Sequence, residues 1–593
     1  MLKTKIDFIG DVPYVNIDGE LHSPLAYTTY FEERGQWQDF INNGYRMFFI
    51  NVSFTTLPIN NSSGFTPFLT GVFDGEEPDY REFDGVIRDI LSLCPDALIF
   101  PRINVAMPQK WLQQHPYETV ETELGARESL YSDSFKHDGT ELLKELVSHI
   151  READYAHRIA GYQLCGGTTQ EWMHHDLFGS YSPMGMEKFK AWAFEKYGIE
   201  NITIPSREAL NCTVLSDEAQ KYYEFCNSES TKTIEHFARE LKEFIHNEQV
   251  VGVFYGYNAY VNNCLWGLHG LRKLIGSPYI DFFSSPCCYD SNRHLGVDWG
   301  DMIPADSLKA HGKLYFVECD IRTHLTDKVQ NARPGMYPEG KYLMHDANGN
   351  KTVWSGPDSL ELSISALRKA FAHQLTKGNG IWWFDMWGGW YHNEAIMNEL
   401  SEMKAIFDST KEKEQGVLPS AEVVLFVDEK AYSHAHKDSP FLHTVNHHRI
   451  SMSHSGIPFD TCMVEDVEIV LKHYKFAIFT TALHTESGKK ALGLCERLGV
   501  PYVTPTEEKP FYDVDELRNI LVSNGIHCYN TAGNVLYCGN GYIGIHKIDN
   551  SKTTITLPQK RKIRPLLDAE SEFYGDSITV DEPMHSTRIF EIL

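Results

Sequence analysis

The sequence lacks the patterns that mark several classes of protein. Its twelve cysteines include no C-x-x-C pair, which argues against a structural zinc knot or a redox motif. No run of about 18 apolar residues occurs, so no membrane span is expected. The N-terminus has no apolar leader core before a small-residue cleavage site. We therefore expect a cytoplasmic protein that needs no cofactor.

Basic residues are also scarce. There are 54 lysines and arginines against 81 aspartates and glutamates, which gives a formal net charge of −27. This charge would repel nucleic acid over most of the surface, so no nucleic-acid partner is expected. A neutral substrate is not affected by such a field.

Short apolar runs alternate with helical patterns over residues 23–413. The clearest helical patterns lie at 80–94, 141–153, 228–248 and 359–378, and Gly198 and Gly378 are candidate helix stops. Eight successive β/α units predict an α/β fold, a (β/α)₈ TIM barrel, in a catalytic domain over residues 1–415. The predicted strands are 23–30, 47–54, 97–105, 159–167, 250–257, 280–289, 313–321 and 378–386.

The pattern changes after the barrel. Strand-like runs at 421–429, 476–482 and 500–506, with helical segments near 464–473 and 486–498, predict a small flavodoxin-like α/β domain over residues 418–525. No nucleotide-binding glycine motif accompanies this domain. Residues 526–593 read as strands and turns and predict a C-terminal β-sandwich.

Two glutamates follow predicted strands on one rim of the barrel. Glu171 comes after the fourth strand, and Glu318 lies at the end of the seventh. Active sites of such barrels sit at the carboxyl ends of the strands. A pair of carboxyl groups facing each other across a cleft is the minimal equipment for cleaving a glycosidic bond.

Several patches resemble the family 42 β-galactosidases, and more broadly the retaining glycosidases of clan A. The patches are PRINVAMPQKWLQQHPYE (101–118), QEW (170–172), SPCCYDSNRHLG (285–296) and ECDIRTH (318–324), in a matching order of three domains. The resemblance implies an exo-acting β-glycosidase that works by double displacement with retention. It implies that Glu171 is the acid/base and Glu318 the nucleophile.

The resemblance also implies roles for substrate-binding residues. Arg102 matches an arginine near the nucleophile and the sugar, and Tyr289 matches a tyrosine that hydrogen-bonds the nucleophile. These two groups are expected to keep Glu318 ionised at neutral pH. Trp383 is expected to form the floor under the sugar, although Trp382 and Trp383 must point to opposite faces of their strand. The remaining candidate substrate-binding residues are Gln170, Asp385 and Trp387.

Two departures from the family leave the sugar open. Gln170 stands where the clan usually has asparagine, and FDMWGGWYHNE (384–394) differs from the family's galactose-binding segment. β-Mannosidase and β-glucosidase specificity are therefore alternatives. A catalytically inactive carbohydrate-binding or scaffold barrel is an alternative of another class.

A histidine-rich segment lies at 432–449. His434 and His436 form an H-x-H pair, which would suit a metal-dependent hydrolase. The sequence places no further ligands for it, so no metal site is expected. The resemblance implies that the second domain mediates a homotrimer, and the expected partner is an oligosaccharide or glycoside substrate.

Overall fold

A closed barrel of eight parallel strands organises the first two thirds of the chain, which confirms the predicted α/β class. The computed structural model describes residues 1–57, 68–122, 125–167, 170–173, 182–210, 212, 215–259, 266–412, 420–435, 439 and 444–593, with only the backbone of residues 207 and 290. Strands β1 to β13 are Thr4–Ile9, Val12–Ile17, Glu20–His22, Leu25–Thr28, Met47–Ser53, Leu98–Asn104, Thr119–Thr122, Gly125–Glu128, Gly161–Cys165, Val250–Val253, Phe282–Pro286, Leu314–Cys319 and Gly380–Phe384.

The barrel closes in the order β4, β5, β6, β9, β10, β11, β12, β13. Each of these eight strands lies inside one of the eight predicted runs. The remaining five strands form an N-terminal antiparallel sheet, β1 to β3, and a hairpin, β7 with β8, in the loop after β6. Val15 and Ile17 of β2 belong to the apolar cluster that fills the barrel, so the N-terminal sheet covers its lower end.

Sixteen α-helices occur in the described part of the chain. The four clearest predicted helices are α2, α4, α7 and α11, and α5 and α11 end at Gly198 and Gly378, both with φ 68°. Glycine adopts this left-handed conformation without steric cost. Helices α1 to α16 are Trp37–Asn42, Arg81–Leu93, Gln109–Gln114, Asp133–Glu152, Pro183–Tyr197, Arg207–Leu210, Asp217–Phe244, Leu271–Ile275, Ala305–Ala310, Val329–Ala332, Leu360–Lys377, Glu394–Ser409, Thr444–Ser453, Val467–Val470, Glu486–Leu498 and Val514–Ser523.

A second, parallel sheet follows the barrel in the order β15, β14, β16, β17. Its strands β14 to β17 are Val423–Val427, Phe459–Met463, Phe476–Phe479 and Tyr502–Val503. Three of them fall in the predicted runs, and α15 fills the predicted helix at 486–498. Strand β15 was not predicted, because its sequence FDTCM is short and mixes polar with apolar residues.

The C-terminal β region is a single antiparallel sheet in the order β18, β19, β22, β20, β21. One face of this sheet packs on α11, where a Cβ added to Gly544 would lie 2.6 Å from Ala372 Cβ. The other apolar residues of the sheet form their own core. In place of the predicted sandwich, the described C-terminal residues form this one sheet, which packs on a barrel helix. Strands β18 to β22 are Val535–Gly539, Tyr542–His546, Thr553–Leu566, Phe573–Val580 and Thr587–Ile592.

Within the described ranges, every helix is too short or too polar to span a lipid bilayer.

Candidate active site

Glu318 lies at the mouth of the barrel, one residue before the end of β12. Side chains alternate along a strand, and Phe316 belongs to the interior cluster, so Glu318 faces the interior as well. Its parallel-ladder partner on β13 is Trp382. Glu318 is 3% exposed, and the barrel therefore presents a nearly dry carboxyl group at its centre.

Glu171 reaches the same mouth through a sharp reversal after β9. Gly166 N donates to Gln170 O at 3.2 Å, and Trp172 N donates to Gly166 O at 2.9 Å. A Cβ on Gly167, whose φ is 78°, would lie 2.8 Å from Trp172 C. The glycine pair after the strand therefore permits the close approach that turns Glu171 back over the barrel. Trp172 itself has φ 59°, a conformation that is costly for a bulky residue.

Arg102 lies on β6, and its charge interacts with that of Glu318. Its guanidinium lies 4.4 Å from the Phe254 ring centroid and 4.9 Å from that of Trp382. Its Nη1 donates to Asn51 Oδ1 at 3.2 Å, and Glu32 Oε1 accepts from Asn51 N at 2.7 Å. This chain of contacts fixes the plane of the guanidinium. The charge of Glu318 is among the causes that raise the pKa of Arg102.

Two buried tyrosines, Tyr257 and Tyr30, interact electrostatically with both glutamates. The Tyr257 hydroxyl donates to Glu171 Oε1 at 3.4 Å. Burial raises the pKa of Tyr257 well above its usual range, and the charges of Glu171 and Glu318 add to this. Burial raises the pKa of Tyr30 in the same way, with smaller contributions from Glu318 and Glu171. The two glutamates therefore share one electrostatic environment.

Buried polar atoms without a hydrogen-bond partner in the described residues cluster around this centre. Such atoms are rare in folded proteins, and several together indicate a polar ligand that supplies the missing bonds. The atoms are Arg102 Nε, Asn104 Nδ2 and Oδ1, Gln170 Oε1, Glu171 Oε2 and Glu318 Oε2.

The pKa of Glu318 is raised in the free site, although the resemblance implies that Arg102 and Tyr289 keep this group ionised. Burial raises the pKa of Glu318 well above its usual range, the charges of Asp320 and Glu171 add to this, and Arg102 and Arg293 oppose it. The opposing charges of Arg102 and Arg293 do not offset the desolvation of Glu318, and its Oε2 accepts no hydrogen bond from the described residues. A hydrogen bond to the charged form would lower this pKa.

Tyr289 contacts Asp320, two positions beyond Glu318. Its hydroxyl donates to Asp320 Oδ2 at 3.3 Å, and the charge of Glu318 contributes to the raised pKa of this hydroxyl after burial and Asp320. The charge of Glu318 therefore acts on Tyr289, while the Tyr289 hydroxyl donates to Asp320.

Trp383 lies outside the barrel wall, contrary to its expected place under the sugar. Its Nε1 donates to the Tyr45 hydroxyl at 2.9 Å, in the layer between strands and helices. Trp382 is the tryptophan in the barrel interior. The alternation of the strand, together with the pairing of Trp382 with Glu318, decides which ring faces the mouth.

Asp385 and Trp387 are buried in the segment after β13. Asp385 accepts hydrogen bonds from Gly389 N at 3.0 Å and Trp390 N at 3.1 Å, and burial raises its pKa to about 7. It therefore holds the loop together, which does not fit the role of a sugar ligand. Trp387 Nε1 donates to Asp327 O at 3.0 Å, and its ring packs on Trp390.

Sequence reasoning missed five residues of this centre. Asn104 could have been found, because it stands two residues after Arg102 on the same strand and so shares its face. The others depend on loops or on neighbouring strands, which no local pattern reveals. The missed residues are Tyr30, Asn51, Asn104, Tyr257 and Trp382.

Only one histidine of the H-x-H pair lies within the described residues. His434 lies at the end of a short 3₁₀ helix, and His436 lies outside the described residues. No group of three or more metal-ligating side chains occurs within the described ranges.

Comparison with known proteins shows the fold of this chain. No protein-family model matches it, and no curated protein matches it. A cold-adapted β-galactosidase from Rahnella sp. R3 matches with a TM-score of 0.64 and 11% identity, over 99% of this chain and 100% of that one. A family 42 β-galactosidase from G. stearothermophilus matches with a TM-score of 0.63 and 11% identity, over 96% and 98%.

A third structure, an exo-carrageenase of the same family from Bacteroides ovatus, matches with a TM-score of 0.62 and 12% identity, over 99% of this chain and 84% of that one. The resemblance seen in the sequence is thus confirmed as a likeness of fold along nearly the whole chain.

Proposed function

We propose that this protein is an exo-acting retaining β-glycosidase, similar to a β-galactosidase. The observation that carries the proposal is the meeting of Glu171 and Glu318 around Arg102 at the carboxyl ends of the fourth and seventh barrel strands. Structures of the same fold belong to enzymes named β-galactosidase and exo-carrageenase, which supports hydrolysis of a carbohydrate.

In the first step, a carboxylate oxygen of Glu318 attacks the anomeric carbon while Glu171 gives its proton to the departing glycosidic oxygen. The bond to the aglycone breaks, and a covalent glycosyl-enzyme forms. In the second step, Glu171 takes a proton from water, whose oxygen displaces Glu318. Two inversions leave the anomeric configuration unchanged.

Because Glu318 is buried, substrate binding changes its protonation in this scheme. In the free site the carboxyl group is biased towards its protonated form by burial. A sugar hydroxyl that donates to Glu318 Oε2 stabilises the carboxylate, so the nucleophile is ionised when the substrate is in place. Trp382 supplies a buried apolar ring that packs against Arg102 and helps to hold its guanidinium at the barrel mouth.

The long loops after the third and seventh strands, with the tryptophan-rich segment after the eighth, wall one side of the mouth. Long loops of this kind commonly serve binding sites. We propose that they form a pocket for one terminal sugar. The loop after the fourth strand, residues 168–185, lies largely outside the described residues.

The test is a panel of 4-nitrophenyl β-glycosides carrying galactose, glucose, mannose or fucose, with the first-formed anomer followed by NMR. Turnover with a β-product supports a retaining enzyme, and the preferred sugar decides between galactosidase, glucosidase and mannosidase specificity. An α-product would contradict retention. Binding of sugars without turnover would instead identify the inactive, carbohydrate-binding barrel.

Two further measurements complete the proposal. Release of monosaccharide alone from an oligosaccharide supports exo action, and early fragments of intermediate length contradict it. Light scattering tests the homotrimer that the resemblance implies.

A further inference from the structure

Two buried arginines share one carboxylate beside the proposed nucleophile. Arg293 Nη1 and Arg322 Nη1 both form ion pairs with Asp320, the latter at 2.7 Å. The side chains of Arg293, Arg322 and Asp320 are 5%, 3% and 0% exposed. In the described part of the chain neither arginine has a second acidic partner within 4.0 Å. One of the two buried positive charges is therefore uncompensated, which is costly unless an anion is present.

The two arginines differ in what their other nitrogens do. Arg293 uses them all: Nε donates to Cys288 O at 3.2 Å and Nη2 to Cys287 O at 2.8 Å. Arg322 Nε and Nη2 have no hydrogen-bond partner among the described residues. These two nitrogens form one edge of the guanidinium, the edge that binds oxyanions through two parallel hydrogen bonds.

Two tryptophan rings pack against the Arg322 guanidinium. Its guanidinium carbon lies 4.8 Å from the Trp354 ring centroid and 5.1 Å from that of Trp390. The rings hold the guanidinium in place, and pre-organisation of this kind reduces the entropy lost on binding.

Arg322 lines a cavity of about 210 Å³. The walls of this cavity come from segment 291–295 after β11, segment 351–358 after β12, helix α11 and the loop before β22. Its ionisable lining is mostly basic. The basic residues are Arg293, His294, Arg322, Lys351 and His585, and the acidic residue is Asp358, which pairs with Lys351 at 2.6 Å.

The geometry points to an oxyanion site in this cavity: we infer that a sulfate or phosphate group binds the free edge of Arg322, with His294 and His585 completing the site. His585 Nδ1 also has no hydrogen-bond partner among the described residues. The group can come from a free inorganic anion or from a sulfated or phosphorylated saccharide, and the experiment separates these sources.

The binding arm of the test does not depend on turnover. The melting temperature of the full chain is measured from 0 to 20 mM sodium sulfate or phosphate, at constant ionic strength set with chloride. A saturable rise is expected for the wild type, because a ligand that binds only the folded state stabilises it. The same rise is expected for Lys351→Met, a control that removes a lining charge already paired with Asp358.

Arg322→Met should lose the saturable rise, and Arg322→Lys, which keeps the charge and loses the paired edge, should weaken the apparent affinity at least tenfold. Arg322→Lys keeps the test decisive if the methionine variant does not fold. The inference is overturned if the wild type shows no saturation, or if Arg322→Lys saturates at the same concentration as the wild type.

The second arm identifies the source and rests on the proposed function. The kcat/KM of a sulfated nitrophenyl glycoside is compared with that of its unsulfated parent in the wild type and in Arg322→Lys. A ratio that falls tenfold in the variant assigns the site to the substrate, and an unchanged ratio with an intact binding arm assigns it to a free anion. If neither glycoside is cleaved, the proposed function fails while the binding arm still decides the site.

Discussion

Trp382 and Trp383 are neighbours in β13 but lie on opposite sides of the barrel wall. Trp382 packs in the interior, with Arg102 4.9 Å from its ring centroid. Trp383 faces the helices and donates to the Tyr45 hydroxyl at 2.9 Å. Only Trp382 therefore shares the mouth with Glu318, its partner in the ladder.

This pair gives a matched test of the support that Trp382 gives to Arg102. We expect Trp382→Phe to lower kcat/KM about tenfold, because loss of a ring contact with Arg102 on the order of 1 kcal/mol weakens transition-state binding. Trp383→Phe should leave kcat/KM unchanged and lower the free energy of unfolding by about 1 kcal/mol, since it removes one buried hydrogen bond. Equal kinetic losses in the two variants would contradict the assignment.

Glu318→Gln should abolish turnover and stabilise the fold at neutral pH. The raised pKa of Glu318 means that the folded protein holds a proton that the unfolded chain has already released. Stability is therefore lost as pH rises from the unfolded pKa of about 4.5 through the folded value. The variant carries no such penalty and should gain on the order of 1 kcal/mol.

The check is the difference in melting temperature between Glu318→Gln and the wild type at pH 5 and pH 8. The difference should be larger at pH 8. A smaller difference at pH 8 would show that the carboxylate is stabilised in the free enzyme.

Glu171→Ala should affect substrates according to their leaving groups. A good leaving group departs without protonation, whereas a poor one needs the acid, so the loss in kcat/KM should be at least a hundredfold greater for an alkyl glycoside than for a dinitrophenyl glycoside. Azide should partly restore activity and yield a β-glycosyl azide. Losses of the same size for both leaving groups would contradict the assignment of Glu171 as the acid/base.

Acid should destabilise the contact between the barrel and the C-terminal sheet through His546. Burial lowers the pKa of His546 well below its usual range, and the charges of Lys369, His585 and His454 add to this. Because the unfolded chain binds the proton and the folded protein does not, stability falls as pH drops below about 6.5.

His546→Asn, which keeps a polar partner for Thr587 Oγ1 near the position of Nδ1, should reduce the loss of stability between pH 7 and pH 5. The exposed His157→Asn serves as the control. Urea unfolding at several pH values gives the free energy of unfolding of both variants. Identical pH profiles for His546→Asn and the wild type would show that His546 does not cause the loss of stability in acid.

The sequence by itself determined the order of the barrel strands and the places of Glu171 and Glu318 along them. Both follow from local information: apolar runs of strand length, helical spacing between them, and the glycines that end helices and strands. The face shared by Arg102 and Asn104 was also present in the period of two along β6.

Only the tertiary structure decided that Trp382 rather than Trp383 lies in the barrel interior, that Asp320 pairs with both Arg293 and Arg322, and that Glu318 is buried. The position of Trp382 beside Glu318 is set by the register of β13 against β12. The two arginines that pair with Asp320 come from loops about thirty residues apart. The pKa of Glu318 depends on burial by residues of several strands and on charges at Asp320, Glu171, Arg102 and Arg293. Desolvation and Coulomb interactions are properties of distance in space, and that distance is fixed only when the barrel closes.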